Sequence, residues 1–340
     1  MSENVILVSQ KFIKSYPFTS DFIATEWRKI GAVDIIKHED DKVVSDLLFD
    51  YKTIKRLIIL NTKITEKCLR TDLTVDELYI ETSQQDLIEE FKEMLKKKGC
   101  EIYSKKGEGH WGQSVSEFGL ALTLCALRQI PLAIENMKSS HQPWDYNLKY
   151  DRNGRCIRAN QFCDSIDFTS GTIKNKKVRV VGAGNIASRY ASFLSFMGAE
   201  VKAWAPFASD PCFHRSNSER VHHLEDLLED AEIFVPMVPL TDGTRGLISS
   251  NHLQKLPKGC LVIMVTRAEI CDTKTLYERV LKKEIFLAAD VFDKEPLPLD
   301  HPLFNCENTV LTPHMAGRTM DANIENAIMI ISQFRKRTQH

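Results

Sequence analysis

Six short apolar runs, KVRVVGA, EVKAWA, AEIFVPMV, CLVIMV, IFLAADV and TVLTPH, follow one another between residues 177 and 314, each divided from the next by a helical pattern. They read as short buried strands with amphipathic helices between them, and the alternation predicts a doubly wound parallel sheet. The first hundred residues alternate in the same way through NVILVSQ, SDFIATEWRKIG, VDIIKH and RLIILN. In DLIEEFKEMLKKKGCEIYS, Leu87, Phe91 and Leu95 keep helical spacing, Lys96 to Lys98 fill the last turn, and Gly99 stops the helix before a strand over 100–103. A polar stretch, KKGEGHWGQSVSE, precedes an apolar helix starting near Ser116, and an irregular segment covers 139–171. A last helix over 320–335 is expected to return to the first domain, which would then be discontinuous.

Composition excludes several function classes. Lys+Arg 45 against Asp+Glu 46 leaves a net charge of -1, with no basic field to draw a nucleic acid. The start, MSENVILVSQKF, lacks the pattern of a signal peptide. The most apolar window, EFGLALTLCALRQIPLAI, is too short between Glu117 and Arg128 to span a bilayer, so no membrane association is expected. Nine cysteines occur singly, without a CxxC pair; this argues for reduced thiols in a cytoplasmic protein and against a metal site.

KVRVVGA runs into Gly182-Ala183-Gly184-Asn185-Ile186-Ala187, which fits G-x-G-x-x-G/A between a strand and a helix. The first glycine makes a tight turn, the second lets backbone N–H groups approach a pyrophosphate, and a small third residue lets helix and strand pack. By itself the pattern also fits a bare turn. After the second strand, an NAD-binding unit usually places Asp or Glu for the ribose hydroxyls, and here that position is Ala205. Repulsion of a 2′-phosphate is then absent, and Arg215, His214 and Arg189 are cationic candidates to hold one. The expected cofactor is NAD(P), with NADP slightly favoured; the alternative is a solvated loop whose charges contact nothing.

Three later segments say more: CLVIMVTRAEICD, LAADVFDKEPLPLDHPL and TVLTPHMAG. With VPMVPLTDGTRGLI and the glycine turn, in this order and spacing, they resemble the D-isomer-specific 2-hydroxyacid dehydrogenases. That family includes glyoxylate/hydroxypyruvate reductases, phosphoglycerate dehydrogenase and the CtBP corepressors. The resemblance is strong over 177–323 and fainter over 1–117. It implies two Rossmann-like α/β domains: an NAD(P)-binding Rossmann domain over 116–315, inserted into a flavodoxin-like substrate domain made of 1–115 and 316–340. The family's active site lies in the cleft between such domains. Its substrate is a small 2-keto or D-2-hydroxy acid, and it usually forms a homodimer through the crossover helix, here residues 116–137.

Position by position, the resemblance makes Arg267, Glu295 and His314 the catalytic residues. Reducing a 2-keto acid adds hydride to the carbonyl carbon and a proton to its oxygen. His314 would supply the proton, Glu295 would hold the imidazole and stabilise its charged form, and Arg267 would pair with the carboxylate and polarise the carbonyl. Taken singly, each has a bland reading: a capped histidine, a solvated loop charge, a structural ion-pair partner. Cofactor contacts carry over to Gly182, Gly184, Asn185 and Ile186 at the pyrophosphate, and to Val238, Pro239 and Thr244 on the adenosine side. Thr266 and Asp290 fall near the nicotinamide, where Asp290 would accept a bond from the carboxamide.

Departures from the pattern cluster near the reacting groups. The family's N-x-x-R-G is Met264-Val265-Thr266-Arg267-Ala268, and an alanine is costly there if the backbone needs positive φ. Met237 replaces a residue that is often polar. The substrate loop is read as YIETSQQD, without glycine, leaving Ser83 and Gln84 as donors to the substrate carboxylate. His110 and Trp111 are expected to line the pocket from the other side. Residues 150–168 are longer than the family requires and would extend a dimer contact or cap the cleft. Two further readings stay open: a CtBP-like regulatory member that binds nucleotide without turnover, and a related dehydrogenase of formate or phosphite.

Overall fold

Strands buried on both faces must be apolar at nearly every position, and helices must then cover both faces. The computed structural model, which describes residues 2–83, 87–105, 109–144, 147–162 and 164–334, contains two sheets of this kind. The chain divides into two units, Met1–His110 with Arg318–His340, and Trp111–Gly317.

The first unit runs β1 (Asn4–Ser9), α1 (Gln10–Ser15), α2 (Thr19–Arg28), β2 (Val33–His38), α3 (Val44–Leu47), β3 (Thr53–Leu60), β4 (Thr74–Glu81), α4 (Ile88–Lys97) and β5 (Glu101–Tyr103). Its sheet is all-parallel in the order β2-β1-β3-β4-β5, the flavodoxin-like order. Val5 and Leu7 face one core with Phe91 and Leu95 of α4, and Ile6 and Val8 face the other with Ile23 and Trp27 of α2. The stretch read as a substrate loop begins too early: Tyr79 to Glu81 are the end of β4, with Tyr79 and Ile80 buried. β4 lies between β3 and β5, so these residues are covered rather than free to line a loop.

The second unit runs α5 (Gly112–Leu127), α6 (Ile130–Ser139), β6 (Lys149–Tyr150), β7 (Cys156–Arg158), β8 (Lys177–Val181), α7 (Asn185–Phe196), β9 (Glu200–Trp204), α8 (Asp210–Ser216), β10 (Glu219–Val221), β11 (Ile233–Pro236), α9 (Ser250–Lys255), β12 (Leu261–Met264), α10 (Thr273–Leu281), β13 (Phe286–Ala289) and β14 (Thr309–Leu311). The parallel sheet has the order β10-β9-β8-β11-β12-β13-β14, reversing direction at β8 as Rossmann sheets do. Val178 and Val180 join a core with Leu122 of α5 and Tyr190 of α7, whereas Val181 joins Leu253 and Leu276 on the opposite face. β10 is a seventh strand that the apolar runs do not announce, because Glu219-Arg220-Val221 at a sheet edge needs little apolar character.

In the second unit's sheet one buried strand residue breaks the apolar rule. Arg179 on β8 is fully buried, its guanidinium held by both carboxylate oxygens of Asp230 at 2.8 and 2.7 Å and by Glu200 at 2.8 Å. These bonds hold the Asp230 carboxyl down at about 2.

The apolar helix expected over 116–137 is two helices. Pro131, in the first turn of α6, cannot continue α5 because it lacks an N–H and its ring would meet the preceding turn. Gln129 turns left-handed at φ 49°, and the two helices meet at a bend of 53°. No single helix among the described residues is long and apolar enough to cross a membrane. Residues 150–168 include the small β6–β7 hairpin, and with α6 they line a cavity of about 730 Å³ beside Lys283, Phe286 and Asn308. That is the N-terminal edge of the sheet, so the segment does not cap the opposite edge, where the candidate catalytic residues lie.

After β14 the chain re-enters the first unit as α11 (Met320–Ile331), shorter than the helix expected over 320–335. Ala327 and Ile330 join the α2 core, Phe334 meets Trp27 edge-on at 5.0 Å, and Thr19 donates to the Asn323 carbonyl at 3.0 Å.

Candidate active site

The glycine turn lies where the strand order reverses, at the carboxyl end of β8, the usual ligand-binding edge of such sheets. Gly182 has φ +123°, and a Cβ on it would fall 2.5 Å from the Met237 carbonyl oxygen. Gly184 differs: a Cβ there would meet nothing within 4 Å. The chain's own packing therefore does not require the second glycine, and open space adjoins the first turn of α7. No side chain caps that helix at Gly184, so first-turn N–H groups and the positive end of the helix dipole face this space. These features fit a dinucleotide pyrophosphate at Asn185 and Ile186. Ala187, at the third position, is buried against the core.

The surrounding candidates separate into free and engaged groups. Trp204 accepts the Gly182 N–H at 2.8 Å, which sets Ala205 beside the turn with no carboxylate. Arg189 is tied to Asn185 at 3.1 Å and to Gln113 at 2.8 Å. Arg215, in the last turn of α8, is exposed and has no carboxylate partner among the described residues; its guanidinium lies 3.9 Å from the Cys212 sulfur. Val238 is half-buried and Pro239 exposed. Thr244 donates to the Pro239 carbonyl and accepts the Thr241 N–H at 2.8 Å, so its hydroxyl builds the turn. Thr266 bonds the Pro236 carbonyl at 3.3 Å, joining the ends of β12 and β11.

Arg267, Glu295 and His314 follow β12, β13 and β14, three neighbouring parallel strands, so topology brings them to the same edge of one sheet. His314 Nδ1 lies 2.6 Å from Glu295 Oε2. The other carboxylate oxygen accepts the Phe292 N–H at 2.9 Å, fixing the glutamate from behind. Both side chains remain about one-third exposed, at 37% and 34%, and among the described residues no bond is made to His314 Nε2. The histidine backbone is left-handed at φ 54°, an uncommon conformation that histidine enters more readily than most residues. Arg267 is exposed; one guanidinium nitrogen donates to the Thr266 carbonyl at 2.7 Å and the rest of its planar fork is open among the described residues.

Asp290 holds the turn on which the histidine sits. This carboxylate is fully buried and accepts from Thr312 Oγ1 at 2.6 Å, the Met315 N–H at 3.0 Å and the Ala316 N–H at 2.8 Å. It clasps the turn on both sides of His314. The expected bond from a carboxamide finds no exposed oxygen here, so Asp290 is a turn anchor in this structure. Ala268 resolves another concern: it opens a short 3-10 turn, is buried, and is not among the positive-φ residues, so its methyl group costs no backbone strain. Met264 and Met237 are buried among apolar neighbours.

The expected substrate contacts fare differently. Ser83 has already committed both donors: its N–H and hydroxyl bond Asn61 Oδ1 at 3.2 and 2.8 Å. It therefore does not offer an N–H to a substrate carboxylate. Gln84 lies outside the described residues. Trp111 is half-buried on the core of the second unit, and a Cβ on Gly317 would come within 2.8 Å of its ring, so it serves packing. His110 is buried in the first unit with its ring 6.1 Å from Tyr16, and burial together with Lys105 pushes its pKa down to about 4. Asn61 escapes a reading of sequence, and Asp290 is read there only as a cofactor contact, because the partners that they bind lie 22 and up to 26 positions away. Only the left-handed preference of asparagine hints at the first. No cluster of three potential metal ligands occurs among the described residues.

The chain is similar to several known proteins. The family described as "D-isomer specific 2-hydroxyacid dehydrogenase, NAD binding domain" matches residues 121–316. A D-3-phosphoglycerate dehydrogenase from Archaeoglobus fulgidus is 29% identical over 221 residues, 65% of this chain but 38% of that protein. A glyoxylate reductase from Aeropyrum pernix is 28% identical over 229 residues, covering 67% of this chain and 64% of the relative. Among solved structures, a D-lactate dehydrogenase with NAD+ from Lactobacillus jensenii superposes with a TM-score of 0.70 at 18% identity, over 97% of this chain and 94% of the other. The chain thus spans little more than a third of the phosphoglycerate dehydrogenase that it matches. Nothing in these likenesses supports the corepressor-like alternative. The chain belongs to the D-isomer-specific 2-hydroxyacid dehydrogenases.

Proposed function

We propose that the protein is an NAD(P)-dependent oxidoreductase that interconverts a small 2-keto acid and its D-2-hydroxy acid. The Glu295–His314 pair at 2.6 Å carries the reading, because it leaves the distal imidazole nitrogen open while a fixed carboxylate backs the proximal one. Arg267 binds the substrate carboxylate with its planar donors and polarises the adjacent carbonyl. His314 gives its Nε2 proton to the carbonyl oxygen in reduction and takes it back in oxidation. Glu295 holds the ring's orientation through its bond to Nδ1. Glycine-turn amides and the first turn of α7 hold the pyrophosphate, and a bound reduced nicotinamide supplies the hydride. With no carboxylate at Ala205, NADPH is proposed to be accepted at least as well as NADH.

The test follows cofactor absorbance with glyoxylate, hydroxypyruvate and pyruvate, using each nucleotide in turn. Turnover of at least one acid is expected, and Arg267→Ala is expected to abolish it while nucleotide affinity stays the same. Binding without turnover across a broad keto-acid panel would overturn the reading. Pairing with a second copy of the chain is also proposed, through the face where Ile130, Ile134 and Met137 stand exposed at helical spacing on α6.

A further inference from the structure

We propose that Tyr277 is a positioning residue for the proton transfer, acting on Glu295 through Asp293; this rests on the oxidoreductase reading above. Leu276 and Val280 anchor α10 in the core, and Tyr277 beside them is half-buried. Its hydroxyl donates to Asp293 Oδ1 at 3.1 Å, with the Asp293 N–H directed to the same hydroxyl oxygen. Burial, and after it the Asp293 charge, push the phenol's pKa up, so the hydroxyl keeps its proton and remains the donor. The ring meets His301 edge-on at 5.6 Å, and His301 in turn accepts the N–H of the fully buried Leu303 at 3.3 Å. One tyrosine therefore joins α10, the loop that follows β13 and the segment that closes this loop.

The loop needs a fixed point at Asp293. Up to Phe292 it is held by burial, since Val291 and Phe292 both sit in the core. From Asp293 to Pro296 every residue is exposed, so no packing fixes the stretch that carries Glu295. Asp293 lies between the two ends of the bond that orients the glutamate, from the Phe292 N–H to Glu295 Oε1 at 2.9 Å. The other carboxylate oxygen meets His314 at 2.6 Å. Freed at Asp293, the glutamate would keep its chemistry but lose its aim, and a misplacement of about an ångström costs rate steeply. Tyrosine suits the task because its rigid ring packs on apolar neighbours while the hydroxyl reaches a polar partner.

Tyr277→Phe isolates the hydroxyl and keeps the ring. With the fastest of glyoxylate, hydroxypyruvate and pyruvate, kcat is expected to fall about fivefold, while KM and NADH affinity stay within about twofold. Asp293→Ala should lose a similar factor, and the double variant should be no worse than the weaker single variant. Asp293→Asn, whose carbonyl oxygen still accepts from the hydroxyl, should keep kcat within about twofold. In Tyr277→Phe the pH profile of kcat should move in the same direction as in Glu295→Gln, which a loss of stability alone would not produce. Exchange of the Phe292 amide proton should accelerate more than that of Leu287 on β13, which separates local release from general loosening. Unchanged kcat, a loss carried by KM, additive losses in the double variant, or a pH profile at the wild-type position would each overturn the proposal. If Tyr277→Phe folds poorly, Asp293→Ala decides, and full kcat there overturns it as well. Wild-type protein that reduces no keto acid would instead remove the oxidoreductase reading. Phe292 exchange would then judge Tyr277 by itself: an unchanged rate would show that the hydroxyl does not hold Glu295.

Discussion

Two glycines in one turn are glycine for different reasons. Gly182 is demanded by the chain, since its φ is positive and a Cβ would strike a carbonyl oxygen; Gly184 is demanded by nothing in the chain. Gly182→Ala should therefore lower stability by about 2 kcal/mol or more, from overpacking and backbone strain together. Gly184→Ala should leave the thermal midpoint unchanged yet weaken NADH or NADPH about tenfold or more, as expected if phosphate occupies the open space. Wild-type nucleotide affinity in Gly184→Ala, measured by calorimetry, would show that the phosphate does not approach there. At this scale the sequence was informative wherever a residue type is tied to a fixed offset. Arg267, Glu295 and His314 could be picked out through the family resemblance, whose motifs tie each side chain to the end of a strand; taken singly, none could. Ser83 could not be judged, because what disqualifies it is a bond from its own backbone to a side chain 22 residues upstream. A backbone donor leaves no trace in residue identity.

Elements carry the next level of the argument, and the turn over 312–316 shows how one is held in an unusual shape. Three donors converge on Asp290, two of them backbone N–H groups, and the left-handed His314 sits between them. Asp290→Asn would replace one accepting oxygen with a donor. A buried N–H would then be left facing another, at a cost of about 1–3 kcal/mol. The expected outcome is a destabilised second unit and a kcat reduced well beyond the change in nucleotide affinity, because the imidazole loses its orientation. If nucleotide affinity falls while kcat at saturation holds, Asp290 contacts the cofactor and its role as turn anchor fails. Strand runs and helix spacing disclosed most elements in advance because burial on two faces writes itself into composition. β10 was hidden, since an edge strand of three residues needs no apolar run. The break between α5 and α6 was written in Pro131, but the unbroken apolar character around it outweighed that sign.

At the scale of the molecule, assembly and acid response each follow from features of a single unit. Ile130, Ile134 and Met137 form an apolar stripe on α6, none of whose residues is buried in the single chain. If that stripe joins two copies, Ile134→Glu should shift sedimentation from dimer toward monomer, and a wild-type protein that sediments as a monomer would dispose of the pairing. The acid response belongs to the first unit. His110 is buried there, and its pKa lies near 4, down from 6.5, because desolvation and then Lys105 oppose its charged form. The unfolded chain takes up this proton below pH 6.5, whereas the folded chain resists it until about pH 4. The stabilising contribution is thus complete above pH 6.5 and is lost progressively as the pH falls toward 4. Between pH 7 and pH 5 the loss amounts to about 2 kcal/mol. The second unit's Arg179–Asp230 pair loses nothing in that interval, since Asp230 gains its proton only near pH 2. Hydrogen exchange at pH 5 should therefore rise in β1 to β5 and α11 relative to β8 to β14. His110→Gln, which cannot titrate, should flatten that part of the pH dependence, and an acid response identical to the wild type would place its origin in other groups.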